Sequence, residues 1–259
     1  MFSHRLPLWL VSKLEENTRH KMARQSTIID VTDDFAEIVH LNSKNKQDCF
    51  KIGLSLDGGG MRGLMLASEL QYLSDETKKP LHKMFDCIGG TSIGGILALS
   101  ITGTKDHLNP VCDHHEIINI FEHYGADIFK RSNTDTFTRL FGSRYPGTGI
   151  EGVLNKYFGN CKLSDVMPGT SVIVTSVKRE DNRVKIFKSK EAILDRNKDF
   201  WMRDVGRATS AAPTYFPAAD IKNIEATRSY SLVDGGLGLN NPSKLVIDEI
   251  KKSAVNQGA

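Results

Sequence analysis

The group in this chain most suggestive of chemistry is a serine with glycine two residues away on each side, Gly90-Thr91-Ser92-Ile93-Gly94. A nucleophile on a tight strand-to-helix turn needs neighbours without side chains, so that the backbone can bend and an ester can approach the hydroxyl. A helix starting there turns its positive end toward the anion formed on attack. A glycine-rich turn with a serine N-cap accounts for the same five residues equally well. Asp57-Gly58-Gly59-Gly60-Met61-Arg62-Gly63 supplies consecutive backbone N–H groups, the material of an oxyanion hole. That run also fits the dinucleotide fingerprint G-x-G-x-x-G, which requires an acidic residue at the far end of the next strand. The available residue, Asp86, stands at the beginning of that strand, so the nucleotide reading fails.

The serine needs a base. The histidines are His4, His20, His40, His82, His107, His114, His115 and His123, and none follows residue 123. A Ser–Asp–His order could therefore use only Asp106 or Asp113 with a neighbouring histidine, too close to Ser92 for the usual topology. Asp234 is the other candidate, ending an apolar strand and followed by Gly235-Gly236. A carboxylate in a poorly solvated site has a raised pKa and can take a serine proton within hydrogen-bond reach. Asp-Gly is also the commonest opening of a simple turn.

These residues need elements to hold them. Lys51–Leu56 predicts a strand, and Leu64, Leu66, Ala67, Leu70 and Leu73 recur at helical spacing after the first glycine run. Phe85–Gly89 predicts a second strand leading into the Ser92 turn and an apolar helix from Ile96. Two strand–glycine-turn–helix units in succession predict an α/β fold whose parallel strands bring both turns to one edge of the sheet. Further along, His114–Lys130 and Phe200–Thr209 predict helices, and Tyr230–Val233 predicts a strand. Ser171–Lys178 and Arg183–Lys188 predict paired strands. Residues 1–48 read as an N-terminal extension with an amphipathic helix around Leu8–Met22 and a strand at Ile28–Val31.

With 259 residues, 39% apolar and 25% charged, the chain suits one sizeable soluble domain. A net charge of +3 is too small to argue for nucleic acid and is compatible with an anionic membrane surface. Cys49, Cys87, Cys112 and Cys161 show no metal spacing and suit a reducing, cytoplasmic setting. No apolar run approaches the roughly 18 residues of a membrane span, so any membrane is visited peripherally from solution. Between Phe129 and Tyr145, Lys130, Arg131, Arg139 and Arg144 alternate with Phe137, Leu140, Phe141 and Tyr145. That pattern suits an anionic lipid interface, or a loop folded back onto the domain.

Taken together, Asp57-Gly-Gly-Gly-x-Arg62-Gly63, Gly90-Thr-Ser92-x-Gly94-Gly and Asp234-Gly-Gly resemble the signatures of the patatin-like phospholipase family. Ala208–Pro217, Asn240-Asn241-Pro242 and the stretch from Gly149 to Asp165 are also similar, so the resemblance covers roughly residues 50–250. It implies a three-layer α/β/α domain over residues 49–259 with a central, mostly parallel sheet. It implies a Ser92–Asp234 dyad, with Ser92 acylated by a phospholipid or other acyl-lipid ester and Asp234 accepting its proton and then activating water. Gly58, Gly59 and Gly60 would form the oxyanion hole, and Arg62 would help hold that loop. Asp57, Gly63, Gly90, Gly94, Gly235 and Gly236 would be supporting motif positions. No metal or cofactor is implied. A soluble esterase or thioesterase with the same dyad stays open, as does a catalytically idle lipid-binding relative, although none of these residues is lost. Relatives usually continue past Asn-Pro through a helix and another strand. Either the chain therefore runs beyond Ala259 or its sheet lacks a terminal strand.

Overall fold

The computed structural model describes residues 27–30, 36–41, 51–128 and 143–256. The helix expected around Leu8–Met22, Cys49, and the basic and aromatic stretch as far as residue 142 lie outside these. The elements run in the order β1 (Thr27–Asp30), β2 (Ala36–Leu41), β3 (Lys51–Leu56), α1 (Gly63–Thr77), α2 (Leu81–Met84), β4 (Cys87–Thr91), α3 (Ile93–Thr102) and α4 (His114–Ile128). Then come α5 (Thr148–Phe158), β5 (Val172–Lys178), β6 (Val184–Lys188), α6 (Ser189–Leu194), α7 (Met202–Thr209), β7 (Ala219–Lys222), β8 (Ser229–Asp234) and α8 (Ser243–Asn256).

Among the described residues the strands form one eight-stranded sheet in the order β1-β2-β3-β4-β5-β8-β7, with β6 also on β5. It is mixed. The strands at its centre, β3, β4 and β5, pair in parallel because helices carry the chain back between them. The flanking ladders are antiparallel, joined by short links such as 179–183 and 223–228. Parallel pairing is thus confined to β3, β4 and β5, and the first two of these carry the first two glycine turns. The strand expected at Ile28–Val31 is β1, and its partner β2 pairs with β3, so the sheet extends into the stretch read as an extension. Both β7, with only four residues, and α5 went unexpected.

Helices cover both faces. On one side α1 turns Leu66, Ala67, Leu70 and Leu73 inward, and α3 is buried along most of its length. These join the larger core with Ile150 and Leu154 of α5 and Val205 and Ala208 of α7. The opposite face carries a small cluster in which Val246 and Ile250 of α8 meet Cys87 and Ile173. Gly53 and Gly89 make that approach close, since a Cβ on either would stand 2.4 Å from the Val246 side chain.

Candidate active site

Ser92 follows β4 directly and caps α3 with φ 54° and ψ −123°, a left-handed backbone that a residue with a Cβ adopts only when its surroundings hold it there. Its neighbours allow the bend. A Cβ on Gly90 would come 2.1 Å from the Gly94 carbonyl oxygen, and one on Gly94 would come 2.3 Å from the carbonyl oxygen of Leu56 in β3. The Ser92 N–H donates to Thr209 Oγ1 at 2.7 Å, so the end of α7 steadies the bend from the side.

The Ser92 Oγ donates to Asp234 Oδ2 at 2.6 Å. Asp234 reaches it because β8 runs antiparallel to β5, ending with Asp234 opposite Ser176. The other carboxylate oxygen accepts the Gly236 N–H at 2.7 Å, which fixes the plane of the group. Asp234 is 7% exposed. Burial raises its pKa above the usual carboxylate range, opposed by the hydrogen bonds from Ser92 and Gly236. Gly235 is buried against Thr175.

The first glycine turn leaves β3 and reaches the same edge. A Cβ on Gly58 would stand 3.1 Å from the Ser92 Cβ, so this loop lies directly against the nucleophile. Asp57 Oδ2 accepts from Asn241 Nδ2 at 3.5 Å. The Arg62 N–H donates to the Gly59 carbonyl, closing a tight turn from which the buried Gly63 opens α1. Arg62 itself is exposed. Asp86 is bound at the other end of the sheet, accepting from Lys51 Nζ at 2.7 Å and the Ile52 N–H at 2.8 Å, so it fastens the start of β3.

Ser92, Asp234 and Gly58–Gly60 share a cavity of about 940 Å3 whose remaining wall is chiefly apolar, including Ile96, Ile117, Ile150 and Leu154. No described histidine lines it. His115 instead contacts Gln71 and Asp75, and His123 contacts the Asn119 carbonyl. Tyr145 turns inward to line the cavity and stacks on Tyr215, over which the Arg144 guanidinium lies at 5.3 Å. Among the described residues no cluster of histidine, cysteine and carboxylate side chains has the makings of a metal site. No described helix is long and apolar enough to cross a membrane.

The profile of the patatin-like phospholipases matches residues 54–247, a span that holds all three glycine turns. The chain belongs to the patatin-like phospholipase family. Among its patatin-like relatives, patatin-like protein 2 of Arabidopsis thaliana is 32% identical over 213 residues, 76% of this chain and 52% of that protein. Patatin group J-1 of Solanum tuberosum is 32% identical over 194 residues, 71% and 49% of the two chains. This patatin-like chain spans about half the length of the curated relatives it matches. A solved structure, VipD from Legionella pneumophila, aligns at 14% identity with a TM-score of 0.38, covering 88% of this chain and 52% of that one.

Two residues of this patatin-like site went unassigned from sequence, Thr209 and Asn240. Both lie within segments similar to the family. Their contacts, to residues 117 and 182 positions away, have no local signature.

Proposed function

We propose that this chain is a lipid acyl-hydrolase of the phospholipase A or lysophospholipase type, acting through a Ser92–Asp234 dyad. The observation that carries this reading is the 2.6 Å Ser92–Asp234 hydrogen bond in the wall of the 940 Å3, chiefly apolar cavity. The lipid would place its ester carbonyl against Ser92 and its acyl chain along the apolar wall. Asp234 takes the hydroxyl proton as Ser92 Oγ bonds to the carbonyl carbon. Backbone N–H groups of Gly58, Gly59 and Gly60 meet the negative charge that gathers on the carbonyl oxygen. The tetrahedral intermediate collapses with return of the proton to the departing alcohol, leaving an acyl-Ser92. Asp234 then draws a proton from water as its oxygen attacks the acyl carbon, and on collapse the Ser92 Oγ–acyl bond breaks, the fatty acid leaves and the proton returns from Asp234 to Ser92 Oγ. Serine, aspartate and backbone donors fill every role without a metal.

The buried cysteines Cys87, Cys112 and Cys161, with thiols pushed up to about 12 chiefly by burial, fit a reducing cytoplasmic setting. The substrate would then be met at a membrane surface visited from solution. Incubation with a panel of phospholipids, lysophospholipids and soluble esters, with products identified by mass spectrometry, tests the reading. Release of free fatty acid from lipids is expected. Turnover of short soluble esters and thioesters alone would move the assignment to the esterase class, and no turnover of any ester would remove it.

A further inference from the structure

Asn240 stands where the first and third glycine turns meet. Its Nδ2 donates to the Gly58 carbonyl oxygen at 3.3 Å, across 182 residues of chain. Its Oδ1 lies 2.4 Å from where a Cβ on Gly58 would be and 3.1 Å from where one on Gly236 would be. Only a glycine at 58 lets the carboxamide rest against that loop. Gly236 is the residue whose N–H holds the carboxylate of Asp234, and Asn240 lines the cavity beside both dyad residues.

The backbone just before Asn240 is fixed. The Leu239 carbonyl accepts from Thr91 Oγ1 at 3.0 Å and Thr175 Oγ1 at 3.3 Å, tying it to the end of β4 and the middle of β5. The Leu239 N–H donates to the Gly235 carbonyl at 2.8 Å. The carboxamide therefore reaches Gly58 from a base anchored to the strand that carries Ser92. All described peptides are trans, and in a trans peptide the C=O of one residue and the N–H of the next point in opposite directions. Holding the Gly58 oxygen thus sets the direction of the Gly59 N–H. A loop of three glycines has the backbone freedom to turn that peptide over, and Gly60 already sits at φ 57°.

We propose that Asn240 is a positioning residue of the oxyanion hole, fixing the Gly58–Gly59 peptide so that its N–H meets the developing anion beside Ser92. It touches no reacting atom and acts through Gly58. This role rests on the serine-hydrolase reading.

The test compares wild type with Asn240→Ala and Asn240→Asp on a soluble p-nitrophenyl ester. Asn240→Asp keeps the side-chain volume and removes the donor. It is assayed at a pH where its rate has levelled off, so that a shifted ionisation of Asp234 is not what is read. For both variants kcat should fall about 10–100-fold, less than the 10²–10³ lost with an outright oxyanion donor, while KM stays within about twofold. A trifluoromethyl ketone captures Ser92 as a hemiketal oxyanion, and its affinity should fall in step with kcat. The affinity of an ether analogue, which forms no oxyanion, should not move. A purely structural role would weaken both inhibitors together, and that result overturns the proposal, as does a kcat for Asn240→Asp above half of wild type. If Asn240→Ala folds poorly, Asn240→Leu, uncharged and of nearly the same shape, takes its place. A wild type that neither hydrolyses the ester nor reacts with a fluorophosphonate removes the hydrolase reading and this role with it. An active wild type with unimpaired variants removes only the role.

Discussion

Two parts of the cavity wall are built on different principles. At the dyad, individual atoms have assigned partners. The Ser92 N–H goes to Thr209, the Ser92 hydroxyl to Asp234, and the second Asp234 oxygen to Gly236. In the apolar wall, Ile117 of α4 and Ile150 and Leu154 of α5 contribute volume and apolarity, and no direction. A removed atom at the dyad should therefore abolish or cripple turnover. Along the wall, a changed volume should alter which acyl chain is accepted and leave the chemistry intact.

The sharpest break is Ser92→Ala, which should end labelling by a fluorophosphonate and lower ester hydrolysis by about 10³-fold or more. Labelling that persists in the variant would place the nucleophile elsewhere. Next in size is Asp234→Asn, expected to remove most activity because an amide cannot accept the serine proton. Near-wild-type turnover by this variant would mean that another group serves as base. In the wild type the rate should rise with pH as Asp234 ionises, with its midpoint above the usual carboxylate range.

Stability should respond to Asp234 in the opposite sense. Its pKa is higher folded than unfolded, so between those two values the folded state holds more protons and stability falls as pH rises. At pH 7 the substitution relieves a buried charge and should raise Tm, by roughly 2–4 °C for each kcal/mol relieved. That gain should vanish below the unfolded-state value. Calorimetry at pH 7 and pH 3 checks the pattern, and an equal Tm change at both would rule out the ionisation as its source.

A smaller effect sharpens the contrast around the dyad. Thr209→Val keeps the shape and leaves the half-buried N–H of Ser92 without the Thr209 acceptor, at a cost of about 1 kcal/mol in stability. The phosphonylation rate should drop about tenfold, and Thr209→Ser should restore both. If the valine and serine variants behave alike, the hydroxyl is not what steadies the bend. The smallest effect belongs to the wall. Ile150→Phe fills cavity volume and should shift preference toward shorter acyl chains by about 10-fold in relative kcat/KM, with the shortest soluble ester unaffected. An equal loss on all chain lengths would show that the wall also positions the dyad.

The same contrast governs what was legible in the sequence. Ser92 and Gly58–Gly60 stood out because a bend and a close backbone approach admit few residue types, and these sit in consecutive positions. Asp234 was legible through its following glycines and through the absence of any histidine after residue 123. Helix α4 was expected as His114–Lys130 and observed as His114–Ile128, since one apolar stripe suffices to mark a helix. Its part in the cavity was not readable, because an isoleucine facing a cavity and one facing a core look alike. Thr209 and Asn240 act across long gaps in the chain. Strands β1 and β2 were hard to attach because a short strand owes its existence to the neighbour that completes its ladder.

The Ser92–Asp234 bond spans 142 residues of chain. At synthesis rates of about 5–20 residues per second, the nucleophile leaves the ribosome roughly 7–28 s before its base exists. The Ser92 turn needs the end of α7 to hold it and β8 to deliver the carboxylate, so a nascent chain carrying only the N-terminal half has a serine and no means to activate it. A hydrolase of the proposed kind would thus stay silent while it is being made. Its activity would appear in one step, when β8 pairs with β5.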